Sequence, residues 1–159
     1  MIKRRIQDEL LLCAREYPVV TILGPRQSGK TTLAQMVFPN YAYCSLEDPD
    51  ARRQANDDPR GLLGKFTAGV ILDEIQRVPA LLSYLQGIID RNPKHGQFIL
   101  TGSHQPHVHQ AITQSLAGRT AILELLPFSV EELKQYKRPF PSPFEMILQG
   151  FYPRLHEDQ

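Results

Sequence analysis

Val19-Val20-Thr21-Ile22-Leu23 runs directly into Gly24-Pro25-Arg26-Gln27-Ser28-Gly29-Lys30-Thr31, and together these two segments leave few folds open. The first is apolar and β-branched, as expected of a strand buried on both faces. The second fits G-x-x-x-x-G-K-[ST] at every fixed position. Gly24 and Gly29 permit a tight turn whose N–H groups point inward, toward where phosphate oxygens would lie. Lys30 brings an ammonium beside the β- and γ-phosphates of a nucleotide, and the Thr31 hydroxyl is suited to Mg²⁺. After Thr32, the apolar residues Leu33, Ala34, Val37 and Phe38 recur at helical spacing until Pro39-Asn40 breaks the pattern. The N-terminal partial positive charge of that helix falls on the same spot. Strand, glycine loop and helix therefore predict a nucleoside triphosphate cradle over residues 24–32.

The rest of the chain alternates strands with helices. Ile2, Ile6, Leu10, Cys13 and Tyr17 predict an amphipathic opening helix. Residues 41–46, 69–72, 97–101 and 120–125 predict four further strands. A helix beginning at Pro79 carries Leu81, Leu82, Leu85, Ile88 and Ile89 on one face; another carries Val108, Ile112 and Leu116 and closes at Gly118. Residues 47–65 are polar and read as a surface excursion with one short helix. Ser129-Val130-Glu131-Glu132 is a capping box that opens a helix through Leu133 and Tyr136. Residues 139–143 read as a stiff linker, followed by a short helix capped by Ser142 and ending at Gly150. This order implies an α/β three-layer sandwich around a parallel sheet of roughly five strands. The domain boundary is expected between 138 and 139, with 139–159 as a linker and short helix leading onward.

Val70-Ile71-Leu72 ends in Asp73-Glu74. Ligands gather at the carboxyl ends of parallel strands, so this pair is expected beside the glycine loop. There Asp73 would hold Mg²⁺ through its water shell, and Glu74 would polarise the water that attacks the γ-phosphate. Thr101-Gly102-Ser103 ends the fourth strand. If that strand lies between the first and third, the Ser103 hydroxyl reaches the γ-phosphate or the attacking water; otherwise Gly102-Ser103 is a turn. Arg119, just before the fifth strand, reads either as a cation for charge developing on the γ-phosphate or as a surface arginine near a helix C-terminus. His104, His107 and His109 are better read as a polar loop than as a zinc site, since no cysteine lies near them.

Four segments carry a resemblance: Gly24-Pro25-Arg26-Gln27 with Gly29-Lys30-Thr31-Thr32, Leu72-Asp73-Glu74-Ile75-Gln76, Leu100-Thr101-Gly102-Ser103, and Leu116-Ala117-Gly118-Arg119. Together they resemble a prokaryotic family of AAA-type ATPases related to the STAND signalling NTPases. Members of that family pair an N-terminal ATPase domain with a C-terminal domain of unknown function. Pro127-Phe128-Ser129 and Gly150-Phe151-Tyr152-Pro153 look like further landmarks. The resemblance implies an AAA/ASCE-like fold, a sensor-1 role for Ser103 and an arginine finger acting from a neighbouring subunit for Arg119. Family members continue past the Gly150–Pro153 landmark, whereas this chain stops at Gln159, so a C-terminal half would be missing. Its loss would expose apolar surface on residues 144–153 and favour association.

Composition narrows the function classes. With 159 residues and a net charge of +1, the chain has no basic face to suit nucleic acid. No segment approaches the roughly 20 apolar residues that cross a bilayer. Cys13 and Cys44 read as small core residues, and a reducing cytoplasmic setting is the default. The leading expectation is an ATP-binding protein that hydrolyses ATP with Mg²⁺ and passes a conformational change to a protein partner or to further copies of itself. Two alternatives stand beside it: a module that binds nucleotide without hydrolysis, and a small-molecule P-loop kinase. No guanine-reading motif appears, which leaves adenine as the expected base.

Overall fold

The computed structural model describes residues 2–134 and 142–156. Five strands form one sheet: β1 (Val19–Gly24), β2 (Ala42–Ser45), β3 (Val70–Asp73), β4 (Phe98–Ser103) and β5 (Thr120–Glu124). The order across the sheet is β2-β3-β4-β1-β5, and every neighbouring pair is parallel. This is the expected α/β P-loop sandwich, with β4 between β3 and β1.

Side-chain alternation along the central strands divides the core into two layers. Val19, Leu23, Val70, Leu72, Phe98 and Leu100 face one side, where they pack with residues of α3 (Pro49–Asp57), α4 (Pro59–Gly64), α5 (Leu81–Arg91) and α6 (Pro106–Ser115). Val20, Ile22, Ile71 and Ile99 face the other, against Leu10 and Cys13 of α1 (Gln7–Glu16) and Leu33 and Ala34 of α2 (Lys30–Val37). A period of two on strands covered on both faces yields this pattern. Cys13 and Cys44 are both buried, free thiols.

Several local expectations need correction. The excursion at 47–65 holds two helices, α3 and α4, because each of its Asp-Pro pairs is a start signal. Asp48 caps the Asp50 N–H and Asp58 caps the Gly61 N–H, each at 2.9 Å, with proline as the next residue. α1 begins at Gln7 rather than at Ile2, and Ile2 packs instead with Phe128 and Leu133. α5 begins at Leu81, after a 3-10 turn at Ile75–Arg77. α6 begins at Pro106, so His107 and His109 lie on its exposed first turn rather than in a loop.

The capping box closes reciprocally at α7 (Val130–Lys134). The Glu132 N–H donates to Ser129 Oγ at 3.1 Å and the Ser129 N–H to Glu132 Oε2 at 2.8 Å. Tyr136, the 138/139 boundary and most of the proposed linker lie outside the described residues. α8 (Pro143–Gln149) exposes Phe144, Ile147 and Leu148. The chain then returns to the main body, where the Phe128 N–H donates to the Phe151 carbonyl at 2.8 Å and the His156 ring meets Phe128 edge-on.

Candidate functional site

The glycine loop leaves β1 at the carboxyl end of the sheet, and its geometry explains its residue types. A Cβ on Gly24 would overlap the Leu125 carbonyl oxygen, so this position accepts only glycine. Gly29 sits at φ 91° and Gln27 at φ 63°, the left-handed region where glycine is favoured. Ser28 is fully buried and its Oγ has no hydrogen-bond partner among the described residues. An orphaned hydroxyl in a glycine-bounded turn is an observation in favour of an oxygen-rich ligand, because a buried polar group left unpaired is costly.

Lys30 is 5% exposed, and its Nζ donates to the carbonyls of Gly24 at 3.1 Å and Pro25 at 2.8 Å. Burial pushes its pKa down; Glu74 and Asp73 oppose that shift, and the exposed Arg26 adds to it. The two carboxylates at the end of β3 thus offset part of the burial penalty on the ammonium. Thr31, the next residue, donates from Oγ1 to Asp73 Oδ1 at 2.8 Å. A hydroxyl and a carboxylate at this separation are the hard oxygen donors that Mg²⁺ prefers.

Asp73 is 6% exposed and is held from three sides. Thr31 and Thr101 both donate to Oδ1, and Tyr43 donates to Oδ2 at 2.9 Å. The Tyr43 hydroxyl is pushed up to about 12 by burial and by this bond to Asp73, so the phenol keeps its proton throughout the physiological range. Glu74 adopts φ 59° and leaves the strand direction, with its N–H donating to Thr101 Oγ1 at 3.2 Å. This turn brings Gln76 back across the carboxylate. Gln76 Nε2 donates to Glu74 Oε2 and, at 3.4 Å, to Ser103 Oγ.

Gln27, Gly29, Lys30, Thr31, Thr32 and Glu74 line one cavity of about 620 Å³ together with Ile2, Arg4, Leu33, Met36, Phe128, Pro153, Arg154 and His156. Asp73 and Ser103 do not line this cavity; they connect to it through Thr31 and Gln76. Arg119 stands elsewhere. It precedes β5 at the amino end of the sheet, with Nε and Nη2 on the Asp90 carboxylate at 2.6 and 3.0 Å and Nη1 on the Ala117 carbonyl at 2.9 Å. It has no access to its own chain's cavity. His104 pairs with Glu124 across 3.4 Å, and no three-residue metal-binding group of His, Cys, Asp or Glu occurs among the described residues.

Sequence patterns did not reveal Tyr43, Thr101 or Gln76 as partners of the acidic pair. Only Thr101 left a signal, as the residue two before Ser103 on the same strand face. They also missed Arg4, which is buried and forms an ion pair with Glu132 at 3.1 Å. Removing one partner of such a pair costs about 3–5 kcal/mol, because the other charge is stranded. Burial by itself would raise the Glu132 pKa. The Ser129 and Arg5 N–H groups and the Arg4 guanidinium outweigh it and hold the carboxyl below its ordinary range.

Residues 16–134 match the family model described as AAA domain. The chain belongs to the AAA domain family. Membership brings nucleotide binding of the ATPase type, in line with the loop and acidic strand end described above. Two curated relatives, the uncharacterized proteins Mb2031c of Mycobacterium bovis and Rv2008c of Mycobacterium tuberculosis, are each 37% identical over 119 residues, or 73% of this chain. The chain spans only about a quarter of the length of these relatives (26%). Among solved structures, a RuvB variant from Thermotoga maritima aligns with a TM-score of 0.57 at 24% identity, covering 84% of this chain and 49% of that one. DnaA from Aquifex aeolicus, solved with AMPPCP, gives 0.59 at 17%, covering 94% and 56%. A STAND protein with a tetratricopeptide repeat sensor from Pyrococcus horikoshii gives 0.57 at 20%, covering 91% and 27%. These likenesses show the shared P-loop fold. Among the described residues no helix is long and apolar enough to cross a membrane.

Proposed function

We propose that this chain binds ATP with Mg²⁺ and hydrolyses it, using the change of nucleotide state to move a partner or an adjoining part of its protein. The observation that carries this reading is the convergence of Lys30 and Glu74 on one cavity, with Thr31 bonded to Asp73 directly behind them. Thr31 and, through water, Asp73 would hold Mg²⁺, which supplies neutralisation of charge on the β- and γ-phosphate oxygens. Lys30 would trade its two carbonyl acceptors for phosphate oxygens. Glu74 would take a proton from the attacking water as the bond from the γ-phosphorus to the bridging oxygen breaks, leaving ADP and inorganic phosphate. Ser103, tied to Glu74 through Gln76, would orient that water. Arg119 would act on the site of a second copy.

One observation favours a quieter mode. Gln76 occupies one oxygen of Glu74 and fixes the carboxylate's orientation, leaving the other oxygen to accept a proton from water. A chain in which that contact holds the free oxygen away from the attacking water would bind nucleotide without turning it over. Titration with fluorescent ATP and ADP, with and without Mg²⁺, followed by single-turnover phosphate release, tests both modes. Tight Mg²⁺-dependent binding with release supports the ATPase. Binding without release supports the non-hydrolysing module, and no binding removes the proposal.

A further inference from the structure

Arg4 lies outside every motif and is 6% exposed, an unusual depth for a guanidinium. Its donors reach three separate stretches of chain. Nε donates to Glu132 Oε1 at 3.1 Å, Nη1 to the Ser28 carbonyl at 2.9 Å, and Nη2 to the carbonyls of Leu126 at 2.6 Å and Pro127 at 3.4 Å. Its guanidinium carbon also lies 4.7 Å from the centre of the Phe128 ring. Glu132 is fixed in turn by the N–H groups of Arg5 and Ser129, each at 2.8 Å. A planar fork with several donors suits such a node, and a lysine could not serve all of these acceptors at once.

The Ser28 carbonyl is the informative acceptor. In a trans peptide the C=O and the following N–H point in opposite directions, and no cis bond occurs among the described residues. A Ser28 carbonyl held by Arg4 therefore turns the Gly29 N–H to the opposite face of that peptide, away from the guanidinium. Glycine at this position imposes no steric preference of its own, so something else must choose between the two faces of that peptide. We propose that Arg4 is a positioning residue of the phosphate-binding loop. By holding the Ser28 carbonyl it points the Gly29 amide at the ligand, and it ties that orientation to the segment that follows β5. The proposal rests on the reading of residues 24–32 as a phosphate cradle.

Two variants of the full chain, Arg4→Lys and Leu133→Ala, separate positioning from general stability. Leu133 packs in the same small cluster as Ile2 and Phe128, and no hydrogen bond links its side chain to the loop. The readouts are ADP affinity by calorimetry and the Gly29 amide resonance of the nucleotide-free chain by NMR. Arg4→Lys is expected to move the Gly29 resonance and weaken ADP binding about tenfold. Leu133→Ala is expected to lower the melting temperature while leaving both readouts in place. Should Arg4→Lys fail to fold, Glu132→Gln loosens Arg4 without removing it and must move the same resonance. An unmoved Gly29 resonance with affinity within about twofold of wild type overturns the role, as does an equal response in Leu133→Ala. Failure of the wild-type chain to bind ADP would instead overturn the nucleotide reading, and the Gly29 resonance would still decide the matter for Arg4.

Discussion

At the carboxyl end of the sheet, Asp73 is nearly buried and accepts from Thr31, Thr101 and Tyr43, while Lys30 sits close by with two carbonyl acceptors. At the amino end, Arg119 grips Asp90 with two nitrogens, but both side chains remain open to solvent. The two clusters contain the same kinds of groups, yet they differ in what water can do for them. A buried polar node has no substitute partner, so each deletion strands the groups around it. An exposed pair exchanges its partner for solvent at little cost. Strand polarity creates the contrast: all five strands release their loops at one end, and the chemistry collects there.

That contrast can be broken from either side. The largest effect is expected for Glu74→Gln, which should lower phosphate release by about 10²–10⁴-fold while ATP still binds, as befits loss of a general base. Unchanged turnover in that variant would exclude the proposed mechanism. Lys30→Ala should weaken ATP binding about 100-fold through loss of charge-assisted contacts, measured by fluorescent-nucleotide titration.

A subtler test is alkaline. Tyr43 donates to Asp73 only as the neutral phenol, and its pKa of about 12 stands above the unfolded value of about 10. Its contribution is therefore complete below pH 10 and fades as pH rises toward 12. Denaturant midpoints should fall across that window, and Tyr43→Phe should flatten the decline. The smallest effect is expected at the other end of the sheet. Arg119→Ala should leave nucleotide affinity within about twofold of wild type. A loss of turnover confined to high protein concentration would assign Arg119 to a neighbouring copy's site.

The half of the site built from contiguous segments was legible in the sequence. Residues 19–38 declare strand, loop and helix through local composition, and Leu72-Asp73-Glu74 declares a strand end through an abrupt change from apolar to acidic. The place of β4 between β1 and β3 entered only as a condition, since parallel crossovers allow more than one strand order. The parts that stayed hidden depend on distant partners. Arg4 and Glu132 stand 128 positions apart, and neither carries a local mark of the pairing. Tyr43 meets Asp73 because β2 pairs with β3 in a particular register. Gln76 reaches Glu74 because the backbone turns left-handed at residue 74, which no residue type there announces. The second helix of the excursion stayed hidden for another reason: Asp58-Pro59 is a cap followed by a first helical residue, and in a polar stretch that pair also suits a turn.

The close fit of Gly24 beneath the Leu125 carbonyl, with the Leu125 N–H bonded to the Leu23 carbonyl at 2.7 Å, has a consequence for the order of assembly. The mould that shapes the front of the polypeptide is cast by a ribbon made a hundred residues later. A growing chain on the ribosome thus acquires its grip on nucleotide near the end of this region's synthesis. Prematurely released fragments would lack the finished loop.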